Sequence, residues 1–208
     1  MHVFDFPADV TTLIGDRQDY FAFIDRRYFS ICQNQKVLEI GPFSGEHSRL
    51  IIKNAPSYFE TIEGHAESAR RLSNIIGIDN VVHNDVIIEL QDNSKQFDVC
   101  VCLGVLYHLH SPLHLIELII NKCSPKYLLL DSVTAPHPLI FLDEFPNDPG
   151  ACQTVKDWKS CKLNFVIPFF IYNQSLYNMG YKLELVNKQA VSWFPKSNGW
   201  TAMWKLQE

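Results

Sequence analysis

The architecture of this chain turns on Val37-Leu38-Glu39-Ile40-Gly41-Pro42-Phe43-Ser44-Gly45. An apolar run of strand character carries an acid and breaks into a turn bounded by two glycines. A helix is expected from Glu46 to Lys53, then a second strand, Tyr58 to Ile62, that ends in the acid Glu63. Strand, glycine turn, helix, strand and acid, with the acid about 20 residues past the turn, is the order by which doubly wound α/β folds hold a nucleoside. The glycines let the backbone approach the ligand closely, and the acid accepts hydrogen bonds from the ribose hydroxyls.

The alternation extends in both directions. Asp16 to Cys32 reads as an N-terminal helix rich in Phe and Tyr. His65–Ile76 carries Ala66, Ala69, Leu72, Ile75 and Ile76 at helical spacing, with Gly77 as its stop. Asn80–His83 is a short third strand, with Asn84-Asp85 at its carboxyl end, and Phe97–Leu103 a fourth that opens onto Gly104. Ser111-Pro112 starts a helix through Leu115, Leu118 and Ile119, and Lys126–Val133 is a fifth strand. Thr134 to Pro168 contains Pro136, Pro138, Pro146, Pro149 and Pro168 without clear periodicity, as lids or partly helical insertions do. A helix over Phe169–Met179 ends at Gly180, and Tyr181–Asn187 and Trp200–Leu206 are the last strands. The expected fold is Rossmann-like, doubly wound α/β: seven strands, mostly parallel, helices on both faces and an antiparallel last strand. One domain is expected over 1–208, with 1–32 as a helical cap and 134–168 as a lid over the substrate.

At 47% hydrophobic and 20% charged, 208 residues can bury one sizeable core. The net charge of -5 gives no general pull toward nucleic acid or anionic membranes. The start, Met1 to Asp9, lacks the pattern of a signal peptide, and no apolar run is long enough to span a bilayer. The six cysteines form no C-x-x-C pair. Cys100 and Cys102 alternate in an apolar strand as small core residues, so a reduced, cytoplasmic setting without structural disulfides is expected.

The glycine turn departs from the dinucleotide pattern G-x-G-x-x-G, because positions 43 and 46 are Phe43 and Glu46. A bulky ring and an anion crowd the helix N-terminus where a pyrophosphate would sit. A nucleoside without phosphate fits better. S-adenosylmethionine is such a ligand, since it needs close backbone approach, an acid for the ribose and acceptors for its ammonium group.

These residues resemble the class I S-adenosylmethionine-dependent methyltransferases, closely over about Lys36 to Val133 and in element order elsewhere. The resemblance implies that Glu39, Gly41, Pro42, Phe43 and Gly45 form the cofactor turn, and that Glu63 with Gly64 holds the ribose. It further implies that Asn84, Asp85 and Val86 contact the adenine, and that Leu103 and Gly104 close the site under the sulfonium. Gly104-Val105-Leu106-Tyr107-His108 followed by Ser111-Pro112-Leu113, with Gly45 and His47, is similar to bacterial enzymes that carboxymethylate tRNA wobble uridine. Their long N-terminal domain has no counterpart here, so this similarity implies a shared core rather than a shared substrate.

Methyl transfer from a sulfonium is an in-line displacement, and alignment alone can supply roughly 7–11 kcal/mol of the barrier. A base is needed only where the acceptor carries a proton that must leave. His108 is the candidate base and Tyr107 the candidate orienting group, both at the mouth of the fourth strand. His108, His110 and His114 span a loop and a helix start without a partner acid or thiol at metal-ligand spacing, so no metal is expected. His47 reads as packing. Trp158, Trp193, Phe194 and Trp200 are available to stack on a planar acceptor or to pack as core, and Lys156, Lys159 and Lys162 read as a solvated basic cluster. The expected activity is methylation of a small molecule or a nucleic-acid base. The alternative is a non-catalytic binding module of the same fold, and a nicotinamide-dependent oxidoreductase is disfavoured by the turn.

Overall fold

The structure, a computed structural model, describes residues 11–13, 27–76, 78–109, 111–134, 141–143, 164–190 and 198–207. Strand β1 (Thr11–Leu13) lies far in sequence from its partner, and a 3-10 turn, Phe29–Cys32, leads into β2 (Lys36–Ile40). Then come α1 (Glu46–Lys53), β3 (Tyr58–Glu63), α2 (Ala66–Arg71), β4 (Val81–His83) and α3 (Val86–Asp92). Strand β5 (Val99–Cys102) is followed by a 3-10 turn, Leu106–His108, then α4 (Pro112–Cys123) and β6 (Tyr127–Thr134). The chain ends with β7 (Phe141–Asp143), β8 (Asn164–Val166), α5 (Phe169–Asn178), β9 (Tyr181–Ala190) and β10 (Asn198–Leu206).

The main sheet runs in the order β1-β9-β10-β6-β5-β2-β3-β4. Seven of its strands are the expected ones, and the last, β10, runs antiparallel to both β6 and β9. The remaining one, β1, pairs in parallel with β9 through Thr11 and Asn187 and widens the sheet by one edge strand. From β2 the chain moves to β3 and β4 on one side, then returns to β5 and β6 on the other. The order therefore reverses between β2 and β5, which opens a crevice over their carboxyl ends.

The central strands are apolar on both faces because both are covered. On one face Leu38, Ile40, Cys100, Cys102, Leu128 and Leu130 meet Leu115, Ile116 and Ile119 of α4 and Phe169, Tyr172 and Leu176 of α5. On the other, Val37, Val99, Val101 and Leu129 meet Tyr28, Phe29 and Cys32 and, from α1, Ile51. The Tyr28 hydroxyl ties this cover to β10 by donating to the Thr201 carbonyl at 3.1 Å. Cys32, Cys100, Cys102 and Cys123 are buried free thiols.

Several expectations are revised. The helix expected over Asp16–Cys32 falls mainly outside the described residues; at its described end Arg27 is helical and Phe29–Cys32 is the 3-10 turn. The helix expected over His65–Ile76 divides into α2 and a wider π turn, Leu72–Ile76. Beyond that turn the Ile78 N–H bonds back to the Leu72 carbonyl at 3.2 Å, and both side chains are buried. Helix α3 is an addition, because Val86-Ile87-Ile88 has strand character until its cap is seen. Within 134–168 the described segments are strands: β7 and β8 pair antiparallel, and β8 lies against β6 and the Leu106–His108 turn.

Candidate functional site

The crevice begins at Glu39, which is buried in β2 one residue before the strand ends. Ser48 of α1 donates to its Oε2 at 2.5 Å. Burial pushes Glu39 up to about 8; the Ser48 hydrogen bond opposes that rise and the nearby Glu63 charge adds to it. Next comes Gly41, whose N–H donates to the Ile62 carbonyl at 2.9 Å and whose φ is 65°. A Cβ there would run into Cγ2 of Val105, nearer than real Cβ atoms are found to any neighbour. Only glycine lets the turn after β2 close against the turn after β5.

Phe43 takes a left-handed φ of 47° that glycine more often occupies, and its ring is half exposed. Glu63 holds it there. The Phe43 N–H donates to Glu63 Oε2 at 2.8 Å, while the His65 N–H donates to Oε1 at 2.8 Å. The buried acid at the end of β3 thus spans Gly64 and pins the glycine turn to its own strand. The Phe43 and His65 rings stack at 6.4 Å beside it. Each Glu63 oxygen takes one backbone donor and keeps a second lone pair for a ligand. Buried Pro42 offers its carbonyl to the Gly45 N–H at 2.8 Å, and Gly45 (φ 77°) begins α1 without a side-chain cap. Glu46, held by the Ser44 hydroxyl at 2.7 Å, puts an anion in the first turn of α1. That is the wrong sign for a phosphate site.

Past β4, Asp85 caps α3: its Oδ1 accepts from the Ile87 N–H at 2.8 Å and the Ile88 N–H at 3.3 Å. Its Oδ2 takes no hydrogen bond among the described residues. Both ends of the Asn84 amide are engaged locally, Oδ1 by the Asp85 N–H and Nδ2 by Glu89, and Val86 packs against the core. Asn84 therefore shapes the turn, while Asp85 keeps an oxygen available.

Across the crevice, Leu103 is buried and Gly104 turns the chain with φ 80°. The Gly104 N–H donates to the carboxylate of Asp131 on β6, a residue not picked out from the sequence. The only sequence signal for it is a lone acid closing the apolar run Tyr127-Leu128-Leu129-Leu130. Asp131 keeps some exposure, yet burial pushes its carboxyl up to about 7 against the lowering effect of the Gly104 hydrogen bond. Over Gly104, the Tyr107 hydroxyl lies 3.7 Å from where a Cβ would stand. The Tyr107 and His108 rings pack at 4.3 Å on the 3-10 turn, so both sequence-selected residues lie at this mouth.

Other candidates fall elsewhere. Trp200 is fully buried among Phe169, Tyr172 and Trp204, so stacking on an acceptor is closed to it and its role is core packing. His47 packs edge-on against Phe29 at 6.1 Å. His110, Trp158, Trp193, Phe194, Lys156, Lys159 and Lys162 lie outside the described residues. Among the described residues no cluster of His, Cys, Asp and Glu is arranged to hold a metal ion, and no helix is long and apolar enough to cross a membrane.

Comparison with known proteins bears on this arrangement. A family model described as a methyltransferase domain matches residues 14–183, well over half of the chain. No curated protein matches the sequence. Among solved structures, the fold is similar to magnesium protoporphyrin IX methyltransferase from Synechocystis PCC 6803 with bound S-adenosylmethionine. That match has 10% identity and a TM-score of 0.63, covering 91% of this chain and 79% of that one. It is also similar to the N-methyltransferase NodS from Bradyrhizobium japonicum WM9 in complex with S-adenosylhomocysteine (14% identity, TM-score 0.64, 92% and 87% covered). The N-terminal domain of EvdMO1 with S-adenosylhomocysteine bound aligns at 17% identity and a TM-score of 0.64, covering 93% and 86%.

Proposed function

The chain belongs to the class I methyltransferase family, and from that premise we propose that it methylates a small molecule or a nucleic-acid base using S-adenosylmethionine. One observation carries the reading. Glu39, Glu63 and Asp85 stand at the carboxyl ends of three neighbouring strands, β2, β3 and β4, beside a glycine that no other residue replaces without a clash. The donor set fits the cofactor. Gly41 admits close backbone approach, Glu63 has lone pairs for two ribose hydroxyls, and Asp85 Oδ2 is available to an adenine amino group. An ammonium group of the cofactor beside Glu39 would draw its raised carboxyl into the anionic form. The same residues do not fit a dinucleotide, because Glu46 opposes a diphosphate at α1.

When bound, S-adenosylmethionine supplies a methyl group already activated by its positive sulfur. The chain's own part is to bind, align and exclude water. Gly41 packs against Val105, and the position of the Tyr107 hydroxyl over Gly104 supports placing Tyr107 and His108 on the side where the acceptor would enter. Strand β8, lying against that turn, supports a lid role for the 134–168 insertion and a single domain over 1–208.

A labelled-methyl screen against separated small-molecule, RNA and protein fractions tests the proposal. Label in the small-molecule or RNA fraction is the expected result. Label in protein alone would overturn the acceptor class, and cofactor binding without transfer to any fraction would point to a binding module.

A further inference from the structure

Asp131 has a placement that cofactor binding does not explain. It sits on β6, two strands from β2 and one residue past the last pairing with β5, between Leu130 and Ser132. If Glu63 and Asp85 take the ribose and adenine, the nucleoside runs from β2 toward β4. Its sulfonium end then lies near β5, and the acceptor must enter from the remaining side, over β5 and β6. That is where the Asp131 carboxylate and the Tyr107 hydroxyl converge on Gly104. Asp131 Oδ1 is occupied by the Gly104 N–H, and Oδ2 takes no hydrogen bond among the described residues. Its cross-strand partner on β10 is Thr201, so no charged side chain pairs with it there.

We propose that Asp131 faces the transferring methyl from the acceptor side and takes the acceptor's proton, which makes amine or hydroxyl groups the nucleophiles this site serves. The inference rests on the cofactor reading above. In the step, the acceptor's lone pair forms the new bond to the methyl carbon while the carbon–sulfur bond breaks. The broken bond's electron pair stays on sulfur, leaving a neutral thioether. The acceptor's proton passes to Asp131 Oδ2 and then to water. Burial holds the carboxyl close to neutral pH, where a base can both accept and release a proton. The titratable groups facing it are Cys102 on β5 and, over Gly104, the Tyr107 hydroxyl of the turn that also carries His108.

Sinefungin, the cofactor analogue with an amine in place of the S-methyl group, is a direct probe, because its cation would sit where the methyl does. Calorimetry with sinefungin and S-adenosylhomocysteine on the wild type and Asp131→Asn reads the contact without any acceptor. The expected result is unchanged S-adenosylhomocysteine affinity and about a tenfold or greater loss for sinefungin, the size of one lost charged hydrogen bond. Equal loss of both, or loss of neither, would overturn the proposal. In the wild type, the ratio of sinefungin to S-adenosylhomocysteine affinity should rise as pH passes through about 7, and a flat ratio would also overturn it. The ratio cancels Glu39, which both ligands meet alike; a rise that persists in Asp131→Asn would assign the titration to another group and sink the proposal. Failure of the wild type to bind S-adenosylhomocysteine at all would instead remove the cofactor reading beneath it.

Discussion

Gly41 and Val105 are packed so tightly that a methyl group on the first would overlap Cγ2 of the second. The residue directly after β2 thereby fixes its distance from the turn after β5, and those two turns are the walls of the crevice. Gly41→Ala adds that clash to a backbone φ of 65°, and the left-handed conformation alone costs on the order of 1–3 kcal/mol for a non-glycine residue. Urea unfolding should show at least that loss, together with loss of S-adenosylhomocysteine binding by calorimetry.

Asp85 caps α3 through Oδ1, and the proposed adenine contact would use Oδ2, so the two roles are separable. Asp85→Asn keeps a good helix cap through its carbonyl oxygen but puts a donor where Oδ2 stood. Its unfolding free energy should match the wild type while cofactor affinity falls about tenfold, one lost hydrogen bond. Asp85→Ala should lose affinity and also about 1 kcal/mol of stability from the cap. Equal affinity in Asn and wild type would remove the adenine role.

Glu63→Gln leaves one acceptor oxygen for two backbone donors, the Phe43 and His65 N–H groups. One of them then faces an amide NH2, at a cost of about 1–3 kcal/mol. Urea unfolding should register that cost, and the glycine turn should loosen where the ribose is proposed to bind. A variant with wild-type stability would show that the pinning contributes little.

Glu39 and Asp131 make the stability of the cofactor-free chain depend on pH in one direction. Burial raises Glu39 from its ordinary 4.5 to about 8 and Asp131 from 3.8 to about 7. Between the unfolded and folded values the folded chain holds more protons, so stability falls as pH rises. The contribution is full below the unfolded values and is lost by about pH 7 for Asp131 and about pH 8 for Glu39. The thermal midpoint should therefore decline from about pH 5 to 8.5, and Glu39→Gln should remove the upper part of the decline. A midpoint that rises across this range would contradict the burial of these acids.

The parts of the fold that are legible in the sequence are those where local chemistry and long-range packing agree. Helix α1 is bounded correctly because glycine precedes it and its charged residues mark a surface helix. Strands β2 and β5 stand out because strands buried on both faces read as mostly apolar runs. Helix α3 is hidden because Val86-Ile87-Ile88 is β-branched, and only the Asp85 cap turns it into a helix. Strand β1 is hidden because three residues gain strand identity only from β9, far along the chain. In the proposed site, Gly41 and Glu63 stand out from the spacing of turn and acid, while Glu39 and Asp85 enter through the resemblance to the methyltransferase family. Asp131 escapes that reading because its partner, Gly104, is reached only across the sheet.

The most direct test of the three-acid cradle is calorimetric titration of the wild-type chain with S-adenosylhomocysteine, run beside an identical titration with NADH. One-site binding of S-adenosylhomocysteine on the order of micromolar, with no heat from NADH, is the expected result. Binding of NADH in its place, or of neither compound, would contradict the assignment of this crevice to an adenosyl ligand without a diphosphate.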